Sequence, residues 1–488
     1  MIVWTNRVGG FSSVAERNLQ RLASSSYLKT SIIRLASTLE SDVRDSKADD
    51  KPNDDSFPRV LLKRNRQSKS FRDGSQLVFS GSIAKVPDSL QLGDLIQVEV
   101  PTSTDSKNKS TQIVGWGVYN PNSMYRVRIL CHSLQNSKLS KIFKSGDVEG
   151  VLAAILTKKF KEALQTRQAM GFPSDLTDTY RFLNGEGDGV SGLAVDVIGD
   201  RVAVIMSSAA WCQVHSQTIL ECLQKVLPKH DIIWKTTPSR LRQDGYAIQD
   251  EAVDSEQEDE NIPPVIGLEN GIKYQAFPHQ KGQKTSVYCD QRENRWNLAQ
   301  LCEGKRVLDL CCYHGGFSLN AAMQGAASVV GVDSSQDAVD TSRSNAEING
   351  LQDKVEFVKA DISGFMKSSD SESQRFDIVV LDPPKLAPSV SSLPKASRKY
   401  NSLNRDALKL IDEEKGGLFM TCTCSAAMTQ KDGGKYFLQM VQQASLAARR
   451  EITLLRVSGA APCHTQSPAS FPAGNYLTAA LFYVHAKE

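Results

Sequence analysis

The chain has 488 residues, of which 40% are hydrophobic and 23% charged, with a formal net charge of +3. This length and balance suggest about three domains with ample core, and no apolar run approaches the roughly 20 residues that span a bilayer, so no membrane partner is expected. The ten cysteines follow no disulfide-framework spacing and form no paired C-x-x-C, which points to a reducing compartment and away from a metal such as zinc.

Residues 1–39 hold five basic residues, one acid and many serines, without the uninterrupted apolar core of a secretory signal. They read as an organelle transit peptide, chloroplast or mitochondrial; a disordered tail on a cytoplasmic protein is the alternative. Residues 40–57 read as a charged linker, so the working protein would begin near Pro58. From Arg59 to Arg72 six basic residues occur with no acid, and Lys63, Arg64, Arg66, Lys69 and Arg72 are the candidate RNA contacts. Short β-like runs follow (Leu77 to Phe79, Leu95 to Val100, Ile113 to Val118, Tyr125 to Leu130), separated by turn residues, and predict a small β-barrel over 58–133. The stretches Leu77–Ile83, Leu92-Gly93-Asp94 and Gly115–Pro121 resemble a PUA domain, an RNA-binding module. Relatives typically carry Trp at the position of Leu77, where it would stack.

Residues 134–263 predict a central α+β domain: a helical pattern over Val151 to Ala169, then the Gly- and Asp-dense stretch Tyr180 to Asp196 leading to a strand at Arg201 to Met206. Glu186 and Asp188 are expected to cap turns rather than bind metal. Asp250 to Glu260 carries seven acids and no base and reads as a solvated loop; without it the chain would stand seven charge units above +3, which suits an RNA partner.

Residues 264–488 predict a doubly wound α/β sheet. The run Arg306 to Leu310 ends in Cys311-Cys312-Tyr313-His314-Gly315-Gly316-Phe317 and continues into a helical pattern, a strand turning sharply into a helix. Glycine lets the backbone approach a ligand, and the helix beyond offers N–H groups to an anion, although such turns also serve packing alone. A second strand ends in Asp333, 24 residues after Asp309, where an acid can take ribose hydroxyls. A third strand (Val355 to Lys359) ends in Asp361, and a fourth (Phe376 to Leu381) in Asp382-Pro383-Pro384-Lys385. Three strands thus bring a carboxylate to the ligand-binding edge of the sheet.

This order of signals resembles the class I, Rossmann-like S-adenosylmethionine-dependent methyltransferases, which implies S-adenosyl-L-methionine as cofactor, with Asp309, Gly315, Gly316, Asp333 and Asp361 around it. With the Gly185 to Asp196 hairpin and the segment Tyr288-Cys289-Asp290-Gln291-Arg292, the whole set resembles the bacterial large-subunit ribosomal RNA cytosine-C5 methyltransferases with an N-terminal PUA domain, over roughly Pro58 to Val484. The resemblance makes Asp290 and Gln291 candidate donor contacts; a capped helix start at Asp290 is the other reading. It also implies large-subunit rRNA as partner, and a homodimer is one expected state.

C5 of cytosine is a poor nucleophile until a thiolate adds to C6, so the chemistry needs a cysteine near the donor. Cys422 and Cys424 lie near the end of a fifth strand, and Thr423-Cys424-Ser425 matches the family's motif, which makes Cys424 the nucleophile and Cys422 a small buried residue. Asp382 would meet the N3 or N4 edge of the base, and Lys385 would lower the thiol's pKa or hold a phosphate. The target base would leave its stack. Two rivals stand beside this reading: an N-methyltransferase in which Asp-Pro-Pro-Lys holds an exocyclic amine and Cys424 is dispensable, and a non-catalytic RNA-binding assembly factor. His464, in Ala461-Pro462-Cys463-His464 where relatives tend to show Asp-His-Pro, reads as a core or surface histidine.

Overall fold

The computed structural model describes residues 57–63, 74–102, 111–132, 147–248, 262–279 and 287–487. The segment expected to be a transit peptide, Arg64, Arg66, Lys69, Arg72, the acidic run 250–260 and residues 283–286 lie outside them. Residues 56–488 form one compact unit. Among the described residues no helix is long and apolar enough to cross a membrane.

The N-terminal lobe is a six-stranded sheet of β1 (Arg59–Leu62), β2 (Leu77–Phe79), β3 (Ile83–Lys85), β4 (Leu95–Pro101), β5 (Thr111–Tyr119) and β6 (Tyr125–His132), in the order β2-β6-β5-β4-β1-β3. Its edges β2 and β3 follow one another through a single turn at Ser80–Ser82 without pairing, so the expected barrel is open at that seam. Leu77 is 5% exposed and packs inward. A side chain at this position cannot stack on a ligand.

The central lobe packs α1 (Val148–Ala169) against the sheet β10-β9-β8-β7, built from β7 (Tyr180–Asn184), β8 (Leu193–Ile198), β9 (Val202–Ser207) and β10 (Asp231–Thr236). The short helices α2 (Ala210–Val214), α3 (Ser216–Val226) and α4 (Pro238–Gln243) complete it. On α1, Leu152, Ile155, Leu156, Phe160 and Ala163 recur at helical spacing and are buried, which is what seats this long helix. One hydrophobic cluster runs from Leu95, Val118 and Leu130 of the first lobe through α1 and β7–β9 to Cys289, Ala461 and Cys463 of the C-terminal lobe. The three lobes therefore share a core.

A hairpin of β11 (Val265–Glu269) and β12 (Ile272–Ala276) and helix α5 (Arg292–Ala299) lead to the catalytic sheet. Its strands are β13 (Arg306–Leu310), β14 (Ser328–Asp333), β15 (Val355–Lys359), β16 (Ile378–Leu381), β17 (Gly417–Thr423), β18 (Ile452–Ser458) and β19 (Thr478–Val484). The order is β15-β14-β13-β16-β17-β19-β18, with β19 antiparallel to its neighbours on both sides. Between them run α6 (Gly316–Met323), α7 (Gln336–Ile348), α8 (Ile362–Ser371), α9 (Leu393–Leu408), α10 (Ala426–Gln430) and α11 (Lys435–Ala448). Strands covered by helices on both faces read as continuous apolar runs, and β16, Ile-Val-Val-Leu, is buried throughout. Strand order reverses between β13 and β16, and the C-terminal ends there open a crevice.

Candidate active site

The crevice widens into a cleft of about 1650 Å³ walled by all three lobes. On the catalytic side the wall begins with the turn from β13 into α6. This turn needs left-handed backbone at Cys311, Tyr313 and Gly315, with φ of 66°, 50° and 81°. The N–H groups of Cys311 and Cys312 donate to the Val332 carbonyl at 2.9 and 3.0 Å, which pins the turn to β14. At Gly315 a Cβ would also come within 2.9 Å of the Phe357 ring, so glycine is required twice over.

Asp309 and Gly315 shape the turn from behind rather than facing the cleft, a correction to their expected contact with a ligand. Asp309 is fully buried, and one of its oxygens accepts both the N–H (3.0 Å) and the hydroxyl (2.7 Å) of Ser318 in the first turn of α6. A carboxyl so placed ties strand to helix, and burial raises its pKa to about 6. Asp333 does face the cleft. Its two oxygens accept the N–H groups of Tyr313 and Ser335 at 3.0 and 2.9 Å, which aims the carboxylate and leaves lone pairs for hydroxyls. Asp361 also lines the cleft while capping α8 through Gly364 N–H at 2.9 Å. Gly316 lines it too, lying directly against the Arg295 guanidinium.

At the floor stands Asp382, immediately after β16, its N–H donating to Leu310 O at 3.2 Å. The Gln291 amide donates to its carboxyl at 2.9 Å. Burial, and then repulsion from Asp290, push the Asp382 carboxyl up to about 7, with Arg295 pulling the other way. Asp290 and Gln291 thus gather around Asp382. Asp290 accepts the Tyr476 hydroxyl at 2.7 Å, and α5, with Gln291 at its N-cap, starts without a side-chain cap bond.

Of the ten cysteines, eight are buried; Cys311 and Cys424 are partly exposed, and both line the cleft. Burial and then the carboxylates of Asp333, Asp382, Asp309 and Asp361 hold the Cys311 thiol protonated. Cys422, fully buried on β17, is raised well above the ordinary thiol range by desolvation and then by Asp382. Cys424 follows β17 directly and shares the cleft with Asp382, Pro383, Pro384 and Lys385. Its neighbours hold it in place: the Thr423 hydroxyl is 2.8 Å from the Tyr400 hydroxyl, and Ser425 Oγ accepts the Ala387 N–H at 3.2 Å. The second contact joins the two segments that carry Cys424 and Asp382. Lys385 is exposed on the rim.

Several residues with structural weight at the site carry no sign of it in the sequence. Arg295 is buried beneath the glycine turn and donates to Glu269 at 2.7 Å and to Tyr288 O at 3.0 Å. Arg167, also buried, binds both oxygens of Asp188 at 2.6 and 2.9 Å and donates to Cys463 O at 2.7 Å, which anchors the loop leading to Tyr476. Asp188 and Glu186 hold turns as expected, Asp188 through Asn184 N–H and Glu186 through Ser191, and the described residues contain no metal-ligand cluster. His464 is a core histidine whose pKa burial drives down to about 3. Lys63, the one candidate RNA contact among the described residues, donates to Gly81 O at 3.0 Å.

The chain matches the model of a methyltransferase domain over residues 301–461 and that of a PUA-like domain over residues 60–132. It is similar to a solved structure from Streptococcus mutans, with TM-score 0.65 and 20% identity over 88% of this chain and 100% of that one, a likeness that carries the fold alone. Over 422 residues it is 29% identical to the ribosomal RNA large subunit methyltransferase I of Shigella dysenteriae, covering 86% of this chain and 97% of that one. The corresponding protein of Klebsiella pneumoniae is 30% identical over 427 residues, 87% of this chain and 98% of its own. An identity of this level sustained across all three lobes places the chain in the ribosomal RNA large subunit methyltransferase I family.

Proposed function

We propose that the protein methylates C5 of a cytosine in large-subunit rRNA through a covalent bond between Cys424 and C6. The observation that carries this reading is the position of Cys424, partly exposed at the end of β17 and sharing a cleft with Asp382. S-adenosyl-L-methionine is the cofactor of this fold, and when bound it supplies a methyl group on a sulfonium sulfur. The cleft suits it. The acidic side chains of Asp333 and Asp361 line it near Cys311, a field that favours a cation, and Asp333 is aimed for ribose hydroxyls. Asp361 stands beside it on the third strand end.

Cys424 acts as a thiolate adding to C6. Asp382, held protonated to about pH 7, donates to N3 as that bond forms, so charge does not accumulate on the ring. C5 then accepts the methyl group, a base removes the C5 proton, and Cys424 leaves with its electron pair while N3 returns its proton to Asp382. The test is to incubate the protein with methyl-labelled donor and large-subunit rRNA and to identify the labelled nucleoside. Label in 5-methylcytosine supports the reading; label in an N-methylated base that survives Cys424→Ala replaces it with amine chemistry at Asp382.

Gly316→Ala tests the donor site. A Cβ there would stand 2.5 Å from Arg295 Nε, and Glu269 and Tyr288 keep that guanidinium from moving aside. The turn must shift instead, and calorimetric titration should show donor affinity reduced on the order of tenfold, with a stability loss of about 1–3 kcal/mol.

Residues 1–57 are proposed as an import segment, to be tested by fusing them to a fluorescent reporter and asking whether it enters plastids or mitochondria. The homodimer is proposed through β18, the sheet edge on which Leu454, Leu455 and Val457 are exposed. Sedimentation velocity on Leu455→Glu should then report monomer where the wild type reports dimer.

A further inference from the structure

Among the described residues of the N-terminal lobe, the large hydrophobic side chains that stand exposed are Phe79 at 40% and Met124 at 64%. They are neighbours. Ser80 N–H donates to Met124 O at 3.0 Å, and the Phe79 ring lies 5.2 Å from the ring of Tyr125, tilted by 57°. Val78 faces the core of the lobe, so strand alternation carries Phe79 to the opposite face, and a register shift between Val78 and Phe79 in the β2–β6 pairing sets it across from Tyr125. The Arg128 guanidinium stands 5.2 Å from the Tyr125 ring centroid. Its plane is fixed by Asp244 at 2.8 Å and Ser191 at 2.6 Å.

Met124 and Tyr125 line the same cleft as Cys424 and Asp382. A surface that is continuous with a catalytic cleft is a surface for the rest of the substrate. We infer that Phe79, Met124 and Tyr125 form a stacking platform for an unpaired RNA base near the target nucleotide. The inference rests on the rRNA substrate proposed above and adds the place where the strand is held outside the reacting site. Aromatic faces accept any base, and basic side chains on the cleft wall favour a polyanion over a protein partner: Arg240 and Lys235 line the same cleft as Met124 and Tyr125.

The experiment measures the affinity of the full chain for a short unpaired RNA oligonucleotide and for a fully paired RNA hairpin, by fluorescence anisotropy. Phe79→Ala and Tyr125→Leu should each weaken binding of the unpaired RNA on the order of tenfold, leaving hairpin binding unchanged. Tyr125→Phe, which keeps the ring, should bind like the wild type. Thermal melting and donor affinity serve as the check that the lobe is folded; Phe79 is exposed enough that its truncation should move neither. Unpaired-RNA affinity unchanged in both truncations, or an equal loss on the hairpin, overturns the platform and leaves the face to a protein contact or to backbone tracking. Because the readout is affinity, a product other than 5-methylcytosine would overturn the reaction and leave the platform standing.

Discussion

Cys424→Ala should abolish methyl transfer to large-subunit rRNA, by about 10⁴-fold or more, while leaving donor affinity and the melting transition close to wild type. The size of the effect follows from chemistry: without a nucleophile at C6, C5 does not gain the electron density it needs to attack the methyl group. The lack of a structural penalty follows from position. Cys424 is partly exposed on the cleft wall, and Thr423 and Ser425 on either side secure the segment through their own hydroxyl contacts. Cys422→Ala supplies the contrast, since that thiol is fully buried and its loss should cost stability by cavity formation while sparing the reaction. An RNA carrying 5-fluorocytosine at the target position sharpens the test. Fluorine at C5 cannot leave as a proton does, so the adduct should persist as a protein–RNA band under denaturing electrophoresis. That band should form with wild type and be missing with Cys424→Ala. A band that survives the substitution would assign the nucleophile elsewhere.

The catalytic sheet was legible in the sequence because its strands are buried on both faces and so appear as unbroken apolar runs. The runs at Arg306 to Leu310 and Val355 to Lys359 coincide with β13 and β15. The strand expected from Phe376 starts instead at Ile378, because Phe376 makes only an isolated bridge with Ile411. Strand-end acids were legible for the same reason: where the apolar run stops, the next residue reaches the sheet edge. What each acid touches was not. Asp309 and Asp333 differ little as sequence signals, yet one braces a helix from behind and the other faces the cleft. The partners that decide such roles are distant along the chain, as with Arg295 and Glu269, Tyr476 and Asp290, or Ser425 and Ala387. No local periodicity records a contact of that kind. Nor does it record a register shift, so nothing in the sequence showed that Phe79 would stand across from Tyr125.

Asp382→Asn should separate function from stability in opposite directions. The Asp382 carboxyl has its pKa raised to about 7 in the folded protein, against 3.8 for an ordinary aspartate, through burial and then the nearby Asp290. Below about pH 4 both folded and unfolded chains hold this proton, and the group's contribution is fully present. Between pH 4 and 7 the unfolded chain releases the proton and the folded chain keeps it, so the unfolded state binds fewer protons and stability declines as pH rises; above 7 the loss is complete. For a shift of this size in a partly open site the loss is about 2–4 kcal/mol. Asparagine is neutral at every pH, and its carbonyl can still accept the Gln291 amide that now reaches the carboxyl at 2.9 Å. In urea at pH 8 the variant should therefore be more stable than wild type, and the gap should close toward pH 4. Catalysis should move the other way, falling about 10²–10⁴-fold, since an amide has no proton to give N3 as Cys424 adds. The pH dependence of kcat/KM carries the same signature: wild type should show a limb that falls as pH rises through about 7, and the variant should lack it. A variant that keeps that limb, or that is no more stable than wild type at pH 8, would mean that Asp382 enters the reaction as a carboxylate accepting from N4 and not as the acid.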